Sequence, residues 1–228
     1  MIKSIGGAAA AALLGSTLLL IPAARADEDP WVVRLRGIYI DPTNDSDAIS
    51  VPGALLVPKN GIHVSDRWAP EVDFEYFFAK NWSTELVLTY PQRHEVTVKG
   101  ATIYPSGAAT PVSSVNIGSF KELPPTLTVK YNFLPDGAFR PYVGVGINVT
   151  SIMQVHLKVP TVGAVHLDST SVGAVAQLGF DYRLAGNWFA NMDVKYVQME
   201  PDLKFGGTTL ATVKVNPILA AVGIAYRF

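Results

Sequence analysis

The chain has 228 residues, 49% of them hydrophobic and only 16% charged, with 18 Lys and Arg against 19 Asp and Glu and no cysteine. Low charge and an aromatic content of 10% exclude a disordered chain, and near-neutrality excludes a general nucleic-acid binder, which needs a basic surface. Without cysteine there are no disulfide scaffolds, thiolate metal sites or cysteine nucleophiles. The overall hydropathy is positive, which suggests membrane contact, yet a single stretch is long and apolar enough to be a spanning helix.

That stretch is N-terminal and reads as a secretory signal peptide. Lys3 supplies the positive n-region, residues 5–21 the apolar segment, and Ala24-Arg25-Ala26 a small-x-small cleavage site. The competing reading is a retained membrane helix; Gly6, Gly7, Gly15 and Pro22 and the abrupt change to Asp27-Glu28-Asp29 argue against it. The expected organisation is a cleaved signal over residues 1–26 and one domain over 27–228, with 16 bases against 19 acids.

After the signal, a period of two recurs eight times. The first segment, 31–40, sets Trp31, Val33, Leu35 and Tyr39 on one parity and Arg34 and Arg36 on the other. Val72, Phe74, Tyr76 and Phe78 follow with Asp73 and Glu75 between them, and then Leu86, Leu88 and Tyr90 with Ser83, Glu85 and Thr89. The fourth and fifth segments alternate Leu127, Val129, Tyr131 and Phe133 with Thr128 and Lys130, and Val143, Val145 and Ile147 with Tyr142, Gly144 and Gly146. The last three carry Ala176, Leu178 and Phe180 against Gln177 and Asp181, Met192, Val194 and Tyr196 against Asn191, Asp193 and Lys195, and Val222, Ile224, Tyr226 and Phe228 against Gly223 and Arg227. These are eight half-apolar strands, and no segment has a comparable helical period.

The parity that mixes glycines with both charge signs is suited to a narrow lumen, and the continuous apolar parity, aromatic near its ends, is suited to lipid. The predicted fold is an all-β, eight-stranded antiparallel up-and-down transmembrane barrel, closed because an open edge in lipid would leave backbone groups unpaired. Short turns at 80–81, 134–138 and 185–187 alternate with long connections at about 41–69, 92–122, 150–172 and 199–214, which gives short periplasmic turns, long extracellular loops and both termini in the periplasm. Asn81-Trp82 and Asn187-Trp188 place an indole at the periplasmic interface.

Leu123-Pro124-Pro125-Thr126, the run Phe139-Arg140-Pro141-Tyr142-Val143-Gly144-Val145-Gly146-Ile147-Asn148, Gly179-Phe180-Asp181-Tyr182 and the ending Gly223-Ile224-Ala225-Tyr226-Arg227-Phe228 together resemble the OmpW/AlkL family. The resemblance implies an outer-membrane barrel of a Gram-negative bacterium with a narrow apolar channel for small hydrophobic molecules, and it identifies no substrate. The terminal parity ending in Phe228 resembles the signal read by the barrel-assembly machinery.

The inward parity divides in two. Arg34, Arg36, Glu85, Lys130, Arg140, Asp181, Arg183, Asp193 and Arg227 are expected in the periplasmic half as a mutually paired plug, with Lys195 a further cation at mid-strand. Ile38, Ile40, Val87, Val175, Val197 and Leu219 are expected above it as a hydrophobic pocket open to the outside. Strand two breaks the pattern by placing Glu71 and Asp73 near its outer end.

The functional expectation is a channel or binding barrel for small apolar molecules, monomeric, with outer-membrane lipid around it. The alternative is a structural or adhesive barrel whose loops bind host or phage proteins. No catalytic, cofactor or metal site is expected: His63, His94, His156 and His166 all fall in predicted loops, beside serines that Ser-rich loops supply by chance.

Overall fold

The computed structural model describes residues 29–228, so the expected signal segment lies outside the described residues. Eight antiparallel strands close into one barrel: β1 (Trp31–Asp41), β2 (Arg67–Ala79), β3 (Trp82–Thr89), β4 (Thr126–Asn132), β5 (Phe139–Val159), β6 (Thr170–Ala185), β7 (Trp188–Val197) and β8 (Ile218–Arg227). Consecutive strands pair from β1 to β8, and the seam between β8 and β1 runs from Val32 opposite Arg227 to Asp41 opposite Ile218. Closure leaves no free edge, which lipid would not tolerate.

The predicted parity holds. Leu35, Phe74, Leu86, Leu127, Val145, Leu178, Met192 and Val222 all point outward and are exposed, while Arg34, Glu85, Lys130, Asp181 and Asp193 are buried inside. A short-turn end carries an aromatic girdle, with Trp82 5.0 Å from Tyr131, Trp188 4.9 Å from Tyr226 and Trp31 4.8 Å from Tyr76. Toward the other end Tyr39 and Trp68 pack 5.3 Å apart. Amphipathic rings prefer the headgroup level, so two girdles bracket the apolar band.

The long connections depart from the expectation of loops. Residues 92–122 form mainly a hairpin, Gln92–Ile103 with Thr110–Leu123, and β5 continues as strand to Val159. Six short strands, Ile49–Val51, Leu55–Val57, Ile62–Val64, Gly163–Leu167, Asp202–Phe205 and Thr208–Lys214, and the two-residue Asp45–Ser46 complete an extracellular collar. All four histidines therefore sit on strands. The collar has its own core, including Ile62, Val64, Val96, Val98, Phe120, Leu157, Val165 and Leu203. Its alternation was hard to read because the buried parity of the first hairpin strand begins with two polar residues, Gln92 and His94, before Val96 and Val98.

Glycine serves closure at the β1–β8 seam. A Cβ on Gly223 would lie 2.0 Å from the Leu35 carbonyl oxygen and 2.9 Å from Cγ of Arg36, so only a residue without a side chain lets β8 approach β1 while Arg36 leaves the wall beside it.

Candidate functional site

The lumen is layered, and strand parity builds each layer. Nearest the periplasm, Arg140, Arg183 and Arg227 line an open basin of about 460 Å³ with Asp29, Asp136 and Phe189. Above it Val32, Phe77, Phe189 and Ala225 pack into an apolar floor.

Next comes a lattice of buried charge. Arg34 meets Glu75 at 2.5 Å and Glu85 at 3.1 Å through Nη1, and it holds Asp181 with two bonds, Nη2 at 2.7 Å and Nε at 3.3 Å. Arg36 Nη2 lies 2.8 Å from Glu71 and 2.7 Å from Asp73, and its Nη1 donates to Asn191. Lys130 Nζ lies 2.6 Å from Glu85 and 3.0 Å from Glu75, and it sits 3.8 Å from the Tyr142 ring centroid. Lys195 Nζ joins Asp193 at 2.6 Å and Glu71 at 3.4 Å. The Tyr142 hydroxyl and the Gln177 amide each donate to Asp193, at 2.8 Å. Taken out of water, such charges persist only when paired and hydrogen-bonded; most here have several partners, whereas Asp73 has Arg36 alone. Six acids (Glu71, Asp73, Glu75, Glu85, Asp181, Asp193) face four bases (Arg34, Arg36, Lys130, Lys195).

The structure brings Arg34, Arg36, Glu85, Lys130, Asp181 and Asp193 together. It does not bring Arg140, Arg183 and Arg227 into that lattice: Arg140 donates to the Gly137 carbonyl at 3.0 Å and lies over Phe189, Arg183 lies over the same ring, and Arg227 donates to the Asp29 carbonyl and lies over Phe77. Val32, Phe77, Phe189 and Ala225 pack between the two groups on β1, β2, β7 and β8, whereas across the β5–β6 seam Arg140 stands opposite Asp181 and borders the same small cavity. Glu71 and Asp73 are not at an outer end either. Strand β2 starts at Arg67, and its register sets Glu71 opposite Arg36 and Asp73 opposite Arg34. Glu75, Tyr142, Gln177 and Asn191 complete the lattice; all four lie on the inward parity, which was the available signal, but parity carries no information about height across strands.

Above the charges lies the apolar chamber. Ile38, Ile40, Ala69 and Ala221 pack together with Leu219 against them, and Val87, Val175 and Val197 are buried in the facing wall. Its residual void is about 20 Å³, lined by Ile38, Ile40, Val87, Val197 and Leu219, with Glu71 and Lys195 below and Gln92, Glu122, Pro124, Asn148 and Met199 above. That is room for about one water. A second void of about 20 Å³ sits higher in the collar, lined only by apolar side chains and Pro201. Of the chamber residues named from sequence, Val175 alone does not line the void; it pairs with Val197 in the wall.

The roof of the chamber holds a buried carboxyl. Glu122 stands on the hairpin, outside the membrane-spanning wall; its Oε1 is 3.5 Å from His94 Nε2, and the His94 Nδ1 is 2.7 Å from the Ser65 carbonyl. Burial pushes the Glu122 carboxyl up to about 7 and pushes the His94 imidazole down. Because the folded chain holds the Glu122 proton more tightly than an unfolded one, its stabilising contribution is complete below about pH 4.5 and is lost as pH rises through 7. The sign for His94 is opposite: its contribution is present above its ordinary value of 6.5 and fades as pH falls. Glu122→Gln is therefore expected to raise the unfolding temperature at pH 8, by an amount equivalent to about 3 kcal/mol, and to flatten the pH 5–8 limb while leaving the acid limb. Superimposable pH profiles for the two proteins would show that Glu122 has no such role.

The comparisons agree with this architecture. The OmpW family model matches residues 28–228. An uncharacterized outer-membrane protein of Sinorhizobium fredii is 36% identical over 205 residues, covering 87% of this chain and 80% of that one. A dibenzothiophene metabolism operon protein of Pseudomonas aeruginosa is 26% identical, covering 89% of this chain and 90% of its own. Among solved structures, the outer membrane protein OprG of Pseudomonas aeruginosa superposes with a TM-score of 0.71 at 28% identity, over 88% of this chain and 96% of that one. A family match that runs through every barrel strand, on a wall built for lipid, makes this chain an outer-membrane β-barrel protein of the OmpW family.

Proposed function

We propose that the barrel carries small hydrophobic molecules across the outer membrane, as a monomer that takes them in through the collar and releases them sideways into lipid. The observation that carries this reading is the stacking of an apolar chamber directly on the charge lattice. An apolar solute in the chamber meets paired charge below it and has no favourable path to the periplasm.

The wall offers an exit at the seam of β3 and β4. That seam has six paired positions, from Thr126 opposite Val87 to Tyr131 opposite Trp82, the fewest of the eight seams. Beyond it come Pro91 on one side and Pro124-Pro125 on the other, none of which has an N–H to continue the ladder. The Pro125 carbonyl instead accepts from Val149 N on β5, and Asn148 Nδ2 reaches the carbonyls of both prolines. Val87 and Thr126 thus sit beside both the chamber and the place where the wall stops being hydrogen-bonded. With about 20 Å³ at rest, the chamber must dilate to load, and the short seam is the part of the wall that parts most easily. The relative from a dibenzothiophene metabolism operon points to the same class of cargo, compact and apolar.

The test is uptake of a sparingly soluble hydrocarbon by cells carrying the wild-type chain or Val87→Lys, together with binding of a fluorescent apolar probe to the purified barrels. Val87→Lys is expected to reduce both at least tenfold while heat-modifiable gel migration shows a folded barrel. Unchanged uptake by the folded variant would instead favour a barrel that works through its collar surface.

A further inference from the structure

The basin at the periplasmic mouth is not used by this proposed route, and its chemistry differs from everything above it. Arg140 and Arg183 share one aromatic ring, their guanidinium carbons 4.5 and 5.6 Å from the centroid of Phe189. Arg227 stands on the same cavity and is felt by Arg140 as a like charge. Of the acids nearby, Asp136 pairs with Lys80 at 2.7 Å and Asp181, opposite Arg140 across the β5–β6 seam, is gripped by Arg34, while Asp29 also lines the basin, so three arginines face it with one acid not held by another base. Among the described residues neither Arg140 nor Arg183 has a carboxylate within salt-bridge distance, and Arg140 spends only its Nε, on the Gly137 carbonyl.

Holding like charges together on one ring is unfavourable unless something negative joins them. The planar guanidinium fork matches an oxyanion with two parallel hydrogen bonds, which a lysine cluster would not. The cavity of about 460 Å³ opens inside the ring of periplasmic turns, with Pro135, Gly186 and Asn187 on its rim, so it faces water and not the headgroups outside the wall. It is large enough for a hydrated phosphate or a small phosphorylated solute.

We propose that this basin is a binding site for a soluble oxyanion of the periplasm, a phosphate or phosphomonoester, held by Arg140 and Arg183 with Arg227 on the third side. Binding would neutralise the mouth of the barrel without entering the lumen, since the floor of Val32, Phe77, Phe189 and Ala225 closes the way up.

The experiment titrates inorganic phosphate into the full barrel in phosphatidylcholine nanodiscs, at constant ionic strength set with chloride, and follows heat of binding and unfolding temperature. Wild type is expected to bind one phosphate and to be stabilised by it. Arg183→Gln, on an exposed side chain that can be replaced without disturbing the lattice, is expected to weaken binding at least tenfold, and Asp136→Asn to leave it unchanged or tighter. Phosphate no more effective than chloride, or binding equal in wild type and Arg183→Gln, would overturn the site. Stabilisation seen only when phosphatidylglycerol replaces part of the lipid, with none from free phosphate, would also overturn it. None of these outcomes depends on hydrocarbon uptake.

Discussion

Arg34→Ala is expected to lower the unfolding temperature of the barrel more than any other single change in the lattice. Arg34 is fully buried and touches Glu75, Glu85 and Asp181, contributions from three different strands. Without it, six acids face three bases in the same volume, and three carboxylates lose a partner together. Breaking one buried pair typically costs about 3–5 kcal/mol because it leaves an uncompensated charge, and here the loss is threefold at one centre. Asp181→Ala should cost less, because acids are already in excess and Arg34 retains Glu75 and Glu85. Asp45→Ala, on a two-residue strand of the collar, should cost least. Heat-modifiable gel migration gives the order directly. If Arg34→Ala and Asp45→Ala unfolded at the same temperature, the lattice would not be what holds the lower barrel.

The second large effect is expected from Gly223→Ala, which should prevent or greatly slow closure. The added Cβ would fall 2.0 Å from the Leu35 carbonyl oxygen and 2.7 Å from Cα of Arg36, both backbone atoms that cannot swing away. The β1–β8 seam must therefore separate or shift, and a shift of one residue would turn Arg34 and Arg36 out to lipid. A substitution on the outward parity next to it, Val222→Ala, adds no contact across the seam and serves as the control. The measurement is the yield of the compact, heat-modifiable form on refolding into lipid. Equal yields for the two variants would mean the close approach is not required.

The membrane-spanning part of this molecule was legible because lipid imposes one rule at every residue. Outward positions such as Leu35, Leu127 and Val145 must be apolar, so a period of two emerges whatever the neighbours are, and strand number, parity, short turns and orientation follow from it. The residues of the OmpW resemblance, Leu123 to Thr126 and Phe139 to Asn148, fall beside the β3–β4 seam and along β5.

Height in the lumen was not legible, because it depends on the stagger between strands. Each strand fixes its own sequence of inward residues, but only the register sets Glu71 level with Arg36 and brings Asp181 to Arg34. That is why the charges expected in one plug divide into a lattice around Arg34 and a basin lined by Arg140, Arg183 and Arg227, with four apolar side chains between them over part of the wall. The collar was hidden for a different reason. Outside the membrane its strands bury polar residues such as Gln92, His94 and Glu122 against their partners, so alternation by polarity fails there even though alternation by burial holds. Lipid writes its demand into every outward side chain, whereas pairing between strands distant in the chain is decided only when they meet.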